Sequence, residues 1–366
     1  MKISFELLVL GLLTILSISC EDKSATTESS LHLFPEGYKH TVGSYPAIVT
    51  GKEGTWDYRA IESGDCFKDG DTYYWYYHAY PKEGGYDYRI GVATSKNPLG
   101  PWKRDEGNPI VSESDKPHEK DCVACPMVVK DGESYSMIYL SAGNSPFGWG
   151  WSVSLAYSDH PLGPWEKYEG NPVLTHQHMG YPGGLMKVNG TWYMYGTEPD
   201  EIQLDYGRMY VATAESLEGP WTVHEKSVLI EGPRGSWDEG AFSEAEVLYY
   251  NGMFHVFYGG GNLTRVTDPT DEIQTEKDRR KVRESIGYAY SADGFNFTKY
   301  KGNPVVPYND VPNCAAMAEV HSVIDFPYVY CYHSLRYIEC PEGEKQEWFD
   351  SGWIEHLGVQ VLEIKK

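Results

Sequence analysis

The sequence predicts an all-β protein, a five-bladed β-propeller. A short strand-like run, a few polar residues and a Gly-Pro-Trp turn recur along the chain, as in GVATSKNPLGPW and SLAYSDHPLGPW. The turn glycines are too far apart for a solenoid repeat, but their spacing suits propeller blades with long loops. Helix signals are few. The repeated turn glycines are Gly100, Gly163, Gly219 and, in a looser copy, Gly294.

Five strands rich in aromatic residues set the number of blades. Each follows an apolar run and a turn, and several of these turns are Asn-Gly or Asp-Gly, which are strong hairpin signals. The five are Thr72–Tyr80, Ser134–Ser141, Thr191–Glu198, Met253–Gly260 and Tyr328–Ser334.

The segments between and beyond these strands complete the predicted ring. The polar stretch Thr267–Ser285 is interpreted as a loop inserted in the fourth unit. The tail Gly352–Ile364 is predicted to form a final strand pair, and Ser44–Gly51 is expected to pair with it. That pairing would close the ring and remove its open edges.

The N-terminus predicts export. Lys2 precedes the apolar run Leu7–Ile18, which is short for a membrane span and ends at Ser19-Cys20. We expect a lipoprotein signal peptide over residues 1–19 with Cys20 as the lipidated residue, and an ordinary secretory signal is the alternative. Residues 20–40 are predicted to be a flexible acidic tether, and residues 41–366 the propeller domain. The protein is thus expected at the outer membrane, the cell surface or in the periplasm of a bacterium.

Composition excludes some partners. The formal net charge is −22 and the acidic residues are spread along the chain, which disfavours nucleic acid and anionic membrane surfaces. Six cysteines follow Cys20, but the sequence does not choose their pairing. The spacing Cys122-Val-Ala-Cys125 favours a structural thiol pair or disulfide over a metal site, because the chain has no second such motif. The oligomeric state stays open.

The first strand of each unit is expected to line the propeller axis, so polar residues near its start are candidate site residues. Strand alternation places residues i and i+2 on one face, which predicts that Glu244 lies with Glu246 and Glu319 with His321. The candidates at these positions are Glu62, Asp65, Asp121, Tyr181, Glu244, Glu246, Glu319 and His321.

Carboxylates that face one channel from different blades suit glycoside hydrolysis. One carboxyl must be protonated to donate to the leaving oxygen, and a second must be ionised to activate water or attack the sugar. Crowded acids separate their pKa values because like charges resist ionising together. Arg59 and Arg336 lie beside strand ends, where a guanidinium can bind hydroxyl groups or a carboxylate.

The motifs YYWYYHAY, NPLGPW, EGNPVL and SADGFNF resemble the five-bladed propeller enzymes of glycoside hydrolase family 43 and relatives such as family 117. That resemblance implies Glu62, or Asp65, as general base where the family has Asp-Pro-Ser. It implies Asp121 as the residue that sets a pKa and Glu244, in Ser-Glu-Ala, as general acid. It also implies an axial histidine, here His321, sometimes beside a divalent cation such as Ca²⁺; no cofactor is expected to be required.

We therefore expect an exported glycosidase that cleaves plant or algal poly- or oligosaccharides, with exo action and inversion. The sugar and linkage are open, and a retaining or phosphate-using propeller is the enzymatic alternative. Because the Asp-Pro-Ser motif is absent, a surface lipoprotein that binds glycans without cleaving them is the non-enzymatic alternative.

Overall fold

Twenty β-strands and one five-residue helix, Gln346–Asp350, account for the regular structure in the described part of the chain apart from short 3-10 turns. The computed structural model describes residues 32–81, 87–143, 151–197, 208–233, 235–240, 242–261, 283–350 and 354–365, and for 242–244 it describes the strand without the side chains. Within these ranges no helix is long and apolar enough to cross a membrane.

The strands form five four-stranded antiparallel units. In every unit the chain runs outward from the first strand to the fourth, except that the fourth strand of unit 5 comes from the start of the chain. Unit 1 contains β2 (Ala60–Asp69), β3 (Thr72–Tyr80), β4 (Arg89–Ser95) and β5 (Lys103–Arg104). Unit 2 contains β6 (Cys122–Asp131), β7 (Ser134–Ala142), β8 (Trp151–Ser158) and β9 (Glu166–Lys167). Unit 3 contains β10 (Tyr181–Val188), β11 (Thr191–Thr197), β12 (Met209–Ala214) and β13 (Thr222–Val223). Unit 4 contains β14 (Phe242–Tyr250), β15 (Met253–Gly261), β16 (Glu284–Ser291) and β17 (Thr298–Lys299). Unit 5 contains β18 (Cys314–Asp325), β19 (Tyr328–Tyr337), β20 (His356–Ile364) and β1 (Tyr38–Val42).

The five first strands surround one axis. β2 contacts β6, β6 contacts β10, β10 contacts β14, β14 contacts β18, and β18 contacts β2 again. Units 4 and 5 are joined further by single parallel pairings, Ala245 with Val320 and Glu284 with Ala316, which merge them into one eight-stranded sheet. This is the β-propeller predicted from the repeats, with each unit as a blade.

The start of the fold closes the ring along β20, and the predicted segment is only part of this contact. β1 pairs with β20 from Tyr38 opposite Ile364 to Val42 opposite Gln360. The predicted segment Ser44–Gly51 continues along the same strand, with a bridge from Ile48 to Leu357 and a hydrogen bond from the Val359 N–H to the Ser44 carbonyl. Within the described residues the tail forms one strand, β20, so the predicted strand pair is wrong. Most of the predicted loop Thr267–Ser285 lies outside the described residues.

The predicted domain boundary at residue 41 falls too late. Phe34 is only 1% exposed, and its ring packs against Tyr288 with centroids 5.0 Å apart. Leu33 is also buried, and its backbone N–H donates to the Tyr288 hydroxyl at 3.1 Å. The packed domain therefore begins before β1. The predicted signal peptide, Cys20 and most of the predicted tether lie outside the described residues.

The Gly-Asn-Pro part of the repeat has a clear structural reason. Asn108 accepts the backbone N–H of Val92 and donates to the carbonyl of the same residue, both at 2.9 Å. Asn171 binds Leu155 in the same way. In units 1, 2 and 4 such an asparagine ties the segment after the fourth strand to the third strand. The Gly-Pro-Trp turns lie between third and fourth strands.

Each first strand carries a β-bulge at the same level, an extra residue relative to its partner strand, and β18 has a second irregularity between Cys314 and Ala316. A bulge interrupts the alternation of side chains, so the i and i+2 rule used to place Glu319 with His321 does not apply there. First strands also approach closely at this level: a Cβ on Gly183 would lie 2.2 Å from the Ala245 carbonyl oxygen. The bulges lie between Ser63 and Cys66, Ala124 and Met127, Pro182 and Leu185, Phe242 and Ala245, and Ala318 and His321.

The six described cysteines are all free thiols, so the disulfide considered for Cys122 and Cys125 is not formed. Both residues are buried within a small cluster with Ala124 and Leu140. Burial raises the pKa of the Cys122 thiol, which keeps it protonated and chemically quiet.

Candidate active site

Four buried glutamates and one arginine gather at the end of the axis where first strands begin, second strands end and third strands begin. We call these residues the four-glutamate cluster. Their exposed fractions are 9% for Glu62, 2% for Glu284, 7% for Glu319 and 0% for Glu355. So many buried carboxyl groups require a cation, hydrogen bonds or bound protons. The members are Glu62, Glu284, Glu319, Glu355 and Arg336.

Arg336 is the cation of this cluster. Its Nε donates to Glu355 Oε1, and its Nη2 and Nη1 lie 3.7 Å from Glu319 Oε1 and 3.8 Å from Glu284 Oε2. Burial opposes the charged guanidinium, but Glu355, Glu284 and Glu319 together raise the pKa of Arg336 above its ordinary value. Arg336 was predicted to bind substrate. Its described contacts balance charge inside the cluster, and the substrate role stays a prediction.

Glu62 accepts two hydrogen bonds. His78 Nε2 lies 2.9 Å from Oε2, and the Tyr88 hydroxyl donates to Oε1 at 2.9 Å. The backbone N–H of Cys125 donates to His78 Nδ1 at 3.4 Å, so the ring proton belongs on Nε2 and points at Glu62. Burial lowers the pKa of His78 to about 4, so the ring is neutral at neutral pH. Burial, followed by the charge of Glu355 and a hydrogen bond with it, raises the pKa of Glu62.

Glu319 lies in the bulge of β18 with a φ of +48°, in the left-handed region. Burial, followed by the charges of Glu62 and Glu355, raises its pKa to about 8. Its carboxyl group therefore carries a proton at neutral pH. The bulge brings Glu319 to Arg336 and to the same end of the axis as Glu62.

His321 is buried beside this site and neutral, since burial lowers its pKa to about 3. Its Nδ1 lies 3.1 Å from the Glu319 carbonyl oxygen, which places the proton on Nδ1 and leaves a lone pair on Nε2. Within the described ranges no group of three or more His, Cys, Asp or Glu could hold a metal ion. The described residues thus do not complete a cation site around His321, and the divalent cation stays a prediction.

The start of the third strand supplies site residues in several units, although no candidate was predicted there. One residue in each of four third strands makes an isolated bridge, to the segment after the fourth strand or, in unit 5, to the segment that closes the ring. These equivalent residues are Ile90, Val153, Ile286 and Leu357. Two residues before them stand two aromatic and two acidic side chains. These are Tyr88, Trp151, Glu284 and Glu355.

Asp65, in the bulge of β2, and Glu246, after the bulge of β14, were both predicted to bind substrate and form a separate pair. They line a cavity of about 420 Å³ at the opposite side of the bulges from the four-glutamate cluster. Asp65 accepts the Val128 N–H at 2.8 Å, and Glu246 accepts the Ser322 N–H at 2.5 Å. Burial raises the pKa of Asp65 to about 7, and burial followed by the charge of Asp65 raises the pKa of Glu246.

The other predicted residues are distributed around the site. Asp121 precedes β6 and is exposed, unlike the buried carboxyls. Tyr181 is half-buried beside Trp151, with ring centroids 5.5 Å apart. Arg59 is buried, and its guanidinium lies 4.9 Å from the centre of the Trp348 ring. Glu244, the predicted general acid, follows the start of β14, but its side chain lies outside the described structure.

Comparison with known proteins adds one short sequence match. No protein-family model matches the chain. A β-1,2-mannobiose phosphorylase from Thermoanaerobacter sp. (strain X514) is 35% identical over 77 residues, which span 20% of this chain and 24% of that protein. The chain thus matches about a quarter of the length of this relative.

Solved structures match over most of the chain. A thermostable family-43 glycoside hydrolase aligns with a TM-score of 0.56 and 17% identity over 87% of this chain and 96% of its own. A structure from work on family 130, whose glycoside hydrolases target β-1,2-mannosidic linkages in Candida mannan, aligns at 0.60 and 14% identity over 88% and 93%. A glycosyl hydrolase from Bacteroides ovatus aligns at 0.60 and 16% identity over 89% and 93%. The chain therefore has the β-propeller fold of these glycoside hydrolases, as its sequence motifs predicted.

Proposed function

We propose that the protein is a carbohydrate-active enzyme of the glycoside hydrolase type. The observation that carries this proposal is the pair Glu62 and Glu319, two carboxyl groups with raised pKa values at one end of the propeller axis. Both retain a small exposed surface, 9% and 7%, whereas Glu355 has none. Carboxyl groups with perturbed pKa values are concentrated at acid–base sites.

The environments of the two residues support different roles. Glu319 holds a proton at neutral pH and suits the general acid, while Glu244 is the alternative acid predicted from sequence. Glu62 accepts hydrogen bonds from His78 and Tyr88, which favour its ionised form, and it suits the general base. An inverting enzyme needs its acid and base roughly 6.5–9.5 Å apart, with a water molecule between them.

The surroundings favour a neutral sugar. The carboxyl groups outnumber the one arginine of the cluster, so an anionic sugar would be repelled. Tyr88, Trp151 and Tyr181 lie partly buried around Ala124 and Cys125, and aromatic rings stack on the apolar faces of sugar rings. We propose a neutral plant or algal oligosaccharide as substrate, with exo action and inversion.

The test is a screen of neutral aryl-glycosides and oligosaccharides, with product anomers followed by NMR. On the substrate found, Glu62→Gln is expected to abolish turnover while calorimetry still detects binding. Asp65→Asn is expected to keep most of its turnover, because Asp65 belongs to the separate pair that lines the other cavity. Normal turnover by Glu62→Gln would overturn the role of Glu62. Binding without turnover by the unmodified protein would support a glycan-binding lipoprotein instead.

Phosphorolysis is the second candidate, because the matched relative is a mannobiose phosphorylase. The carboxyl groups around Arg336 oppose it, since they repel phosphate from that guanidinium. Turnover that requires inorganic phosphate and releases a sugar phosphate would support phosphorolysis, whereas turnover in a phosphate-free buffer would support hydrolysis.

We also propose that the protein is exported and lipid-anchored. The support is the apolar run that ends at Ser19-Cys20. Incorporation of labelled fatty acid into the unmodified chain, and its loss in Cys20→Ala, is the expected result. Equal labelling of both chains would contradict the anchor.

A further inference from the structure

Glu355 is buried too deeply to touch a substrate, yet it contacts Arg336 and Glu62. It is 0% exposed and stands directly before β20. The pairing of Leu335 with His356 sets this strand beside β19, which carries Arg336. Glu355 thus accepts from Arg336 and is in hydrogen-bond contact with Glu62.

The contact with Arg336 determines which form of Glu355 is stable. A guanidinium stays protonated in proteins, and its hydrogen bond to a carboxylate is charge-assisted. Arg336 therefore favours an ionised Glu355. A second ionised carboxyl in hydrogen-bond contact with Glu355, out of reach of water, would meet strong repulsion.

We propose that Glu355 is a positioning residue that shares one proton with Glu62, so that Glu355 stays paired with Arg336 while Glu62 holds the proton and becomes the ionised base only when the pH rises far enough to remove it. Glu62 then donates its O–H to Glu355 and still accepts from His78 and Tyr88. Nothing in this arrangement requires Glu355 to meet a substrate. The effect of Glu355 on catalysis rests on the proposed function, whereas the shared proton does not depend on it.

The groups around the pair are compatible with this arrangement. They come from units 1, 2, 4 and 5 and include one cation, two neutral histidines and a tyrosine besides the other acids. Burial and the neighbouring negative charges keep the tyrosine hydroxyl and the nearby thiol protonated. The facing groups are His78, Tyr88, Cys122, Glu284, Glu319, His321 and Arg336.

This arrangement makes the ionisation of Glu62 depend on Glu355. Burial alone would raise the pKa of Glu62, and the charge of Glu355 raises it further. Glu355→Gln removes that charge and supplies an amide N–H that can donate to the Glu62 carboxylate. The variant should therefore let Glu62 ionise at lower pH.

The experiment is a pH titration by NMR of the full chain with ¹³C-labelled glutamate carboxyl groups, in which the Glu62 signal is assigned by its loss in Glu62→Gln. In Glu355→Gln the midpoint of the Glu62 signal is expected to fall by about 1 to 3 pH units, the usual effect of one nearby charge. Glu363→Gln, on the same strand β20 but opposite Lys39 and Tyr328, should leave the midpoint unchanged. An unchanged or higher midpoint in Glu355→Gln would overturn the proposal.

A second measurement covers the case in which Glu355→Gln does not fold. In the unmodified chain the Glu355 signal should show a step at the same pH as Glu62, because the two groups share the proton. In Glu62→Gln that step should vanish, and a step that persists would overturn the proposal. Neither titration needs a substrate, so failure of the proposed function would leave this result intact and would be seen separately.

Discussion

At the scale of single residues, Glu319 shows how backbone and charge together set the state of one carboxyl group. The left-handed φ of +48° in the bulge directs the chain so that Glu319 lies beside Arg336, while Glu62 and Glu355 add negative charge nearby. Few non-glycine residues adopt this conformation, and such residues concentrate at functional sites. The Glu319 carboxyl group is therefore protonated at neutral pH.

The ionisation of Glu319 predicts the alkaline limit of activity. If Glu319 is the proton donor, activity should fall as the pH rises through about 8, because the group loses its proton there. Glu319→Gln should abolish turnover of substrates with poor leaving groups and spare those with good ones, as measured by pH–rate profiles on both kinds. Glu339→Gln, at an exposed position outside the cluster, is the control.

A Glu319→Gln variant with the profile of the unmodified chain would assign the proton donor elsewhere, with Glu244 as the first candidate. The sequence identified Glu62, Glu319 and Arg336 because they stand near the ends of recognisable strands. Glu284 and Glu355 were missed because candidates were expected only near the starts of first strands, whereas the antiparallel order of a unit starts its third strand at the same end of the axis.

At the scale of elements, the bulges divide the acids of the first strands into two groups. Glu62, before the bulge of β2, and Glu319, in the bulge of β18, belong to the four-glutamate cluster. Asp65, in the bulge of β2, and Glu246, after the bulge of β14, line the separate cavity. Glu62 and Asp65 lie on the same strand, β2, but belong to different groups. The bulges were not predictable, because the residues that form them share no type.

The Asp65 and Glu246 pair predicts a stability that depends on pH. Burial raises the pKa of Asp65 from 3.8 to about 7, so the folded state binds more protons than the unfolded state between these values. The contribution of Asp65 to the free energy of unfolding is full below about pH 4 and is lost as the pH rises through about 7. Asp65→Asn should show a smaller loss of stability over this range, as measured by urea unfolding on both sides of pH 7.

Asp71→Asn, exposed in the turn after β2, is the matched control and should unfold like the unmodified chain. An Asp65→Asn variant that keeps the full pH dependence would show that the other buried carboxyls account for it. Glu246→Gln should behave like Asp65→Asn, because the two residues share one hydrogen-bonded contact.

At the scale of the whole molecule, the ring is closed by strands from the two ends of the domain. The repeats predicted the units and their order correctly, because each copy carries its own turn and three copies carry an asparagine bridge, at Asn108, Asn171 and Asn303. The predicted start of the domain was too late, because the polar composition before residue 41 is typical of a flexible tether. Only the packed fold reveals that Leu33, Phe34 and β1 belong to the core of unit 5 and its neighbour.

This closure predicts the effect of truncation. A chain that begins at residue 41 loses most of β1 and the Phe34 contact, so it should unfold at a lower temperature than a chain that begins at residue 32. Differential scanning calorimetry of the two chains measures the difference. Equal melting temperatures would mean that the Ile48 bridge and the rest of β20 suffice to close the ring.

The bulge recurs at the same level in each first strand, so the residue at this level can change while the backbone of the blade does not. The same backbone irregularity is built around Gly64 and Asp65 in unit 1, Cys125 and Pro126 in unit 2, and Glu319 and Val320 in unit 5. The strands pair regularly before and after the bulge. The bulge residue can therefore be acidic, a cysteine or a glycine while the blade remains the same. New specificities can therefore arise by exchanging single residues at equivalent points around the ring, with no change in how the chain folds.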